Sequence, residues 1–111
     1  DELEDLRMSA SGPGARSRCY VAYDRDSGEP LATGSLHLFP RQGLGFLWGG
    51  CTLESARGRG LYSALVTARM NEARAHSLQR LGIFAVPHTS GRIVQGQGFQ
   101  KHEPYHCWTK G

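Results

Sequence analysis

The first half of the chain shows the apolar and polar pattern of β-strands. Strand-forming residues fill positions 18–23, 31–39 and 44–53, and clusters of Gly, Pro, Asp and Ser separate the three runs. In the third run, Phe46 and Trp48 fall on the same side of an extended chain, and we expect that side to join the core. The pattern predicts an antiparallel meander of three strands.

The period of the pattern changes after residue 60. Apolar residues then recur every three or four positions, as on one face of a helix, at Leu61, Ala64, Leu65 and Ala68. We expect this helix to end near Ser77.

Shorter segments complete the prediction. Residues 1–8 are expected to form a short helical stub with an acidic first turn, followed by a loop over 9–17. Residues 80–86 are predicted to be a buried strand, and 99–110 to supply one or two more strands. The segment 90–97 is a weak helix candidate, because each of its two glycines costs about 1 kcal/mol relative to alanine.

The length of 111 residues suits a single domain with a modest core. Its predicted elements divide it into a stub and loop (1–17), antiparallel strands (18–53), a loop and long helix (54–77), and C-terminal strands with a short helix (78–111). This organisation predicts an α+β fold.

The charge of the chain is modest and dispersed. Its net charge is +3 and its pI is near 9.0, but its 13 basic residues cluster only at Arg57 and Arg59. This distribution argues against a nucleic-acid-binding face and leaves room for one anionic ligand.

The cysteines and the hydropathy exclude several classes. Cys19, Cys51 and Cys107 are odd in number and lack CxxC spacing, so we expect neither a disulfide framework nor a metal site. Because the chain has no stretch as long as a membrane span and opens on acidic residues, we expect a cytoplasmic protein that does not bind membranes.

The connection before the long helix carries the candidate chemistry. Gly58 and Gly60 permit unusual backbone angles and close approach of a ligand, and the first turn of a helix offers unpaired N–H groups. With Arg57 and Arg59 this makes an anion cradle, typically for phosphate. A turn whose arginines only face solvent is the alternative. A Walker loop is excluded because the stretch has no lysine, and a dinucleotide fingerprint fits poorly because the acidic residue expected about 20 positions later is absent.

The stretch 57–62, RGRGLY, resembles the acetyl-CoA-binding motif [QR]xxGx[GA] of the GNAT superfamily of N-acetyltransferases. Residues 48–53 look like the central strand of that family, 61–77 like its long helix, and 90–99 like its short helix and closing Gly-Phe turn. The resemblance covers residues 18–103. It implies a GNAT-like acyl-CoA N-acyltransferase fold with a mostly antiparallel, mixed central sheet.

The resemblance also implies a site for acetyl-CoA. Backbone groups of Cys51 and Leu53 would pair with the pantetheine arm, and the thioester would lie beside residues 49–51. The family transfers the acetyl group directly to an amine, without a covalent enzyme intermediate and without metal. Backbone N–H groups would hold the pyrophosphate at Arg57, Gly58, Arg59, Gly60, Leu61, Tyr62 and Ser63.

Two departures from the family pattern concern the cofactor cleft. Tyr62 stands where the motif has Gly or Ala, so we expect its side chain to point away from the ligand. The tyrosine with which many members protonate the leaving thiolate falls at Val94, so no general acid carries over.

Candidates for the remaining chemistry are few. Glu54, His37, His88 and Tyr105 could accept a proton, although an isolated histidine is more often structural or solvated. Cys51 has no partner histidine at a recognisable spacing, so we expect a small buried side chain rather than a nucleophile.

The N-terminal region is the largest departure. Family members begin with a strand and one or two helices that build the acceptor pocket, and only residues 1–8 could stand for them here. The chain could be a C-terminal piece of a longer protein, have a shortened acceptor side, or use a second copy to complete the site. An exposed sheet edge left by a missing strand would favour a homodimer.

Two functions follow. The first is an N-acetyltransferase that uses acetyl-CoA and a small-molecule or peptide amine, with proximity supplying much of the acceleration. The second is a non-catalytic acyl-CoA-binding or regulatory module, favoured by the missing tyrosine and the short N-terminus.

Overall fold

One mixed sheet and two helices make up the architecture. The computed structural model describes residues 4–10, 16–85, 90–102 and 107–111, the first range for its backbone only. The elements, in chain order, are β1 (Glu4–Ala10), β2 (Ser17–Asp24), β3 (Pro30–Phe39), β4 (Leu44–Thr52), α1 (Leu61–Ala75), β5 (Arg80–Phe84), α2 (Ser90–Gly96), β6 (Gln100–His102) and β7 (Cys107–Lys110). Short 3-10 helices, Pro40–Gln42 and Glu54–Ala56, precede β4 and α1.

The strand order is β1-β2-β3-β4-β5-β7-β6. The pairing of β4 with β5 is parallel, and the other described pairings are antiparallel. This sheet confirms the expected α+β class with a mostly antiparallel, mixed sheet. The three predicted strands of the meander are confirmed as β2, β3 and β4, and the long helix is confirmed as α1.

The prediction of a helical stub at residues 1–8 is wrong, because Glu4–Ala10 forms strand β1. It pairs with β2 from Glu4 opposite Asp24 to Ala10 opposite Arg18. An acidic first turn is a weak local preference, whereas pairing along β2 supplies partners for a whole row of backbone groups. Tertiary pairing therefore decides the conformation here.

The core lies where α1 packs on β2, β3 and β4, and it includes Leu36, Leu47, Leu65 and Val66. The expectation that Phe46 and Trp48 face this core is wrong, since 47% of Trp48 is exposed. The core face of β4 carries Gly45 and Leu47 instead.

Close packing explains this choice of face on β4. A Cβ atom added at Gly45 would lie only 2.7 Å from the Cβ of Ala73 on α1. The larger Phe46 lies on the other face, where its ring meets the ring of Phe84 edge to face at 5.1 Å between centroids.

Candidate functional site

A cleft opens where β4 and β5 part. Their parallel pairing runs from Leu44 and Arg80 to Leu47 and Ile83, and β4 then continues to Thr52 while β5 ends at Phe84. A cavity of about 560 Å³ lies at this end of β4. Its lining comes from β4, the following turn, α1 and α2, and consists of Gly50, Cys51, Thr52, Ala56, Arg57, Gly58, Gly60, Leu61, Tyr62, Ser63, Ser90 and Ile93.

A β-bulge turns β4 just before the cavity. The register with β3 passes from Thr33 opposite Cys51 to Ser35 opposite Trp48, so one residue of β3 faces two residues of β4. Gly49, in the bulge, has φ of 69°, which a side chain would strain. The bulge redirects the end of β4 toward the cavity.

The turn before α1 has the geometry of an anion cradle. Gly58 and Gly60 have φ of 81° and 78°, and an added Cβ at either would meet nothing within 4 Å. The N–H of Ala64 donates to the carbonyl of Gly60 at 3.0 Å, so the N–H groups of residues 61–63 precede the hydrogen-bond ladder of α1. Open space, unpaired donors and the positive end of the helix dipole together fit a diphosphate.

The predicted cofactor-binding residues fall into two groups. The first group lines the cavity at the end of β4 and consists of Cys51, Arg57, Gly58, Gly60, Leu61, Tyr62 and Ser63. Leu53 and Arg59 are exposed and lie outside its lining. The pKa of Asp24 is lowered, first by hydrogen bonds from the N–H groups of Ser27 and Asp26 and further by the charge of Arg59. Arg59 therefore lies near the β2–β3 turn.

The end of α2 is tied to the start of α1. The side-chain amide of Gln97 donates to the hydroxyl of Ser63 at 2.7 Å. This bond holds Ser63 at the cleft. Because the hydroxyl oxygen of Ser63 accepts in this bond, its O–H can still donate to another group. Val94, where the resemblance would place a tyrosine, is fully buried in the core.

Tyr62 does not point away from the cleft, contrary to expectation. A Cβ added at Gly50 would lie 3.1 Å from Cε1 of Tyr62, and the phenol hydrogen-bonds with Ser90. Burial raises the pKa of Tyr62, while the bond with Ser90 and the charge of Arg69 act in the opposite direction. Position 62 faces inward because it lies on the same stripe of α1 as Val66, Arg69 and Ala73, which are buried.

Arg69 is a buried cation that the sequence analysis missed. It is 1% exposed; its Nε donates to the carbonyl of Leu65 at 3.0 Å and its Nη1 to that of Ser35 at 3.0 Å. Burial lowers the pKa of Arg69 to about 10, so it stays charged at neutral pH. The signal was present, since a charged residue stands four positions after Leu65 and four before Ala73, in the buried phase of the helix.

Of the other candidates, the two that the structure describes lie outside the cavity lining. Glu54 is exposed and lies outside the cavity lining, and His37, on β3, has its Nδ1 2.6 Å from the hydroxyl of Ser17. His88 and Tyr105 lie outside the described residues. The expectation that Cys51 is buried is wrong, because it is exposed at the cavity, where β4 runs past the end of its pairing with β5.

The described residues contain neither a cluster of metal ligands nor a membrane-spanning helix. Among the described residues, no three His, Cys, Asp or Glu side chains lie together in a way that could hold a metal ion. In the same part of the chain, no helix has the length and apolar character needed to cross a bilayer.

Known structures share this fold. The chain is similar to a Klebsiella pneumoniae protein described as an acyl-CoA N-acyltransferase, with 16% identity, a TM-score of 0.79, and coverage of 99% of this chain and 98% of that one. A GNAT family acetyltransferase of Elizabethkingia anophelis with acetyl-CoA bound is 12% identical with a TM-score of 0.74, over 93% and 80% of the two chains. An Exiguobacterium acetyltransferase is 24% identical with a TM-score of 0.71, over 85% of this chain but only 62% of that one. At such low identities these likenesses show the fold.

Sequence comparison identifies the family. No curated protein sequence matches the chain significantly. The model of the Acetyltransferase (GNAT) family matches residues 2–92, most of the chain and all of the cradle. With the cleft at the fork of β4 and β5 and the cradle before α1, this match shows that the chain belongs to the GNAT acetyltransferase family.

Proposed function

We propose that the protein is an N-acetyltransferase that transfers an acetyl group from acetyl-CoA to a primary amine by direct attack. The observation that carries the proposal is that one cavity joins the bulged end of β4 to the N-terminus of α1. A thioester carrier needs both parts, because its diphosphate and its reacting carbonyl lie at opposite ends of an extended arm. Holding the amine and the carbonyl in one cleft replaces a bimolecular encounter by a nearly unimolecular attack.

In this proposal the chain's own groups have separate tasks. The N–H groups of residues 58–63 and the guanidinium of Arg57 hold the diphosphate, whereas the N–H of Arg57 donates to the carbonyl of Glu54 at 3.3 Å. Backbone groups of Cys51 pair with the pantetheine arm. The N–H and the carbonyl of Leu53 already bond with Leu31 and Ala56, at 2.9 Å each, so the predicted role of Leu53 is left out of the proposal. A backbone N–H in the bulge at residues 49–50 stabilises the oxyanion that forms on the attacked carbonyl.

The alternative function is a non-catalytic acyl-CoA-binding or regulatory module. One observation favours it: Val94 is a fully buried core residue, so α2 offers no phenol at the position where the family often has one. A module of this kind would retain the cradle and lack turnover.

Calorimetry and a turnover assay test the proposal. We expect saturable binding of acetyl-CoA and CoA, and release of free thiol with at least one member of a panel of small-molecule and peptide amines. Binding without turnover on the whole panel would favour the module. If neither acetyl-CoA nor CoA binds, the acetyltransferase and the non-catalytic module are both refuted.

We also propose that the protein is cytoplasmic and that two copies associate. The three cysteines are free thiols, as a reducing compartment favours. Among the described strands, β1 and β6 end the strand order, and an edge strand favours pairing with another chain. Light scattering that shows a monomer at high protein concentration would refute the association.

A further inference from the structure

The proposed reaction leaves a negative charge on sulfur, and the family's usual donor position provides nothing to meet it. Val94 is 0% exposed and apolar. The titratable side chains that line the cleft in the described part of the chain are Cys51, Arg57 and Tyr62. Arg57 lies in the cradle, where the diphosphate requires it.

The phenol of Tyr62 lies at the reacting end of the cleft. An added Cβ at Gly50 would be 3.1 Å from Cε1 and 3.7 Å from Cδ1, so the outer half of the ring lies against the bulged strand. The hydroxyl hydrogen-bonds with Ser90 on α2. The ring therefore reaches from α1 to both other walls of the cleft, and it does so beside the residues where the thioester would lie.

A buried cation acts on this phenol. Arg69 lies seven residues later on the same side of α1, and its Nη2 has no hydrogen-bond partner in the structure. No described carboxylate forms an ion pair with it. Its guanidinium lies against the bulge region, since a Cβ at Gly34 would be 2.6 Å from Cζ. The charge of Arg69 opposes the rise that burial causes in the pKa of Tyr62, so the phenol is a stronger hydrogen-bond donor than an equally buried tyrosine without the cation.

We propose that Tyr62 donates a hydrogen bond to the leaving sulfur of the thioester, and that Arg69 is a positioning residue that polarises the phenol and holds the bulge. The inference rests on the proposed function. The acceptor amine attacks the carbonyl carbon and forms the C–N bond. As the C–S bond breaks, its electron pair goes to sulfur, where the Tyr62 hydroxyl stabilises the thiolate. The proton lost by nitrogen passes through solvent to sulfur, so the products are an amide and a free thiol.

The test measures the thiol of bound CoA. The affinities of CoA and of desulfo-CoA, which lacks the thiol, are measured against pH by calorimetry. The change of their ratio with pH gives the pKa of the bound thiol, because only CoA carries a thiol that can ionise. The proteins compared are the wild type, Tyr62→Phe and Tyr20→Phe. Tyr20 is the matched control, because it is a buried tyrosine on which the Arg69 charge also acts but it lies outside the cavity lining.

We expect the pKa of the bound thiol to be about 1 to 2 lower on the wild type and Tyr20→Phe than on Tyr62→Phe, as for a hydrogen bond to a charged group. The kcat with a turned-over amine should fall about 10- to 100-fold in Tyr62→Phe, with CoA affinity at neutral pH retained. Cys51 and Arg57 are present in all three proteins, so their influence cancels.

Arg69 variants extend the test to the positioning role. Arg69→Lys, which keeps the charge, should shift the thiol pKa less than Arg69→Met. An equal pKa of the bound thiol in the wild type, Tyr62→Phe and Tyr20→Phe would overturn the inference and leave the proposed function standing. Failure of the wild type to bind CoA would overturn both.

Discussion

Gly60 offers a way to separate charge from shape in the cradle. It is the N-cap of α1, with φ of 78° and ψ of 11°, in the left-handed region where Asn and Asp are the best tolerated side chains. A Cβ there would meet nothing within 4 Å. Gly60→Asn and Gly60→Asp therefore fit equally well and differ by one negative charge.

The charge should act in opposite directions on binding and on stability. A carboxylate about 4 Å from a phosphate oxygen costs about 1 kcal/mol in water and about 4 kcal/mol at an effective dielectric constant of about 20. The Kd for CoA should thus be roughly 5-fold to several hundred-fold weaker for Gly60→Asp than for Gly60→Asn. At the N-terminus of a helix the same carboxylate stabilises by about 0.3 to 1 kcal/mol, so the Asp variant should unfold at equal or higher urea concentration.

Calorimetry with CoA at two salt concentrations and urea unfolding of both variants supply the measurements. The gap in Kd should shrink as salt is raised from about 0.1 M to 1 M, because the Debye length falls from about 10 Å to 3 Å. Kd values that equal the wild-type value in both variants at low salt would refute the placement of phosphate at Gly60. A loss of binding that is the same in both would indicate a steric cause.

Three further outcomes are expected. Arg57→Ala should weaken CoA binding by about 1 to 3 kcal/mol and Arg57→Lys by less, with unchanged affinity in calorimetry contradicting a role in the cradle. Gly45→Ala should lower the free energy of unfolding by about 1 to 3 kcal/mol, because its Cβ would lie 2.7 Å from Ala73; Gly96→Ala, with nothing within 4 Å, is the matched control and should be neutral or stabilising in urea unfolding. The Asp24 carboxyl, whose pKa is lowered chiefly by the N–H groups of Ser27 and Asp26, should contribute stability above its unfolded pKa that is lost as pH falls through the folded value; an unchanged acid limb of unfolding in Asp24→Ala would contradict this.

The apolar and polar pattern of a segment was enough to predict those strands and helices that depend mainly on their own residues. The strands β2 to β4 and the helix α1 were predicted within a few residues, since alternation and helical period are properties of the segment itself. The turn before α1 was also predictable, because Arg57, Gly58 and Gly60 lie close together in sequence, although Arg59, predicted with them, lies outside the cavity lining. The helix α2 forms with two glycines because its buried residues Gly91 and Val94 pack on the rest of the fold.

Features that depend on a distant partner were not predictable in the same way. The conformation of β1 depends on its pairing with β2, and the choice of core face in β4 depends on how closely α1 approaches Gly45. The direction of Tyr62 was predicted from a ligand's needs rather than from the packing of α1. In each case the deciding contact joins residues far apart in the chain.

The seating of α1 on the sheet connects these features with the site. Three described sheet glycines each receive a side chain of α1, in the pairs Gly34 with Arg69, Gly45 with Ala73 and Gly50 with Tyr62. An added Cβ would lie 2.6, 2.7 and 3.1 Å from the nearest atom of the partner in these pairs. Because these glycines have no side chain, α1 can pack close to the sheet. The helix thereby brings its N-terminal N–H groups and the phenol of Tyr62 to a cleft whose other wall is the bulge in β4. The glycines outside the cradle thus set the width of the cleft, and the glycines inside it leave room for the ligand.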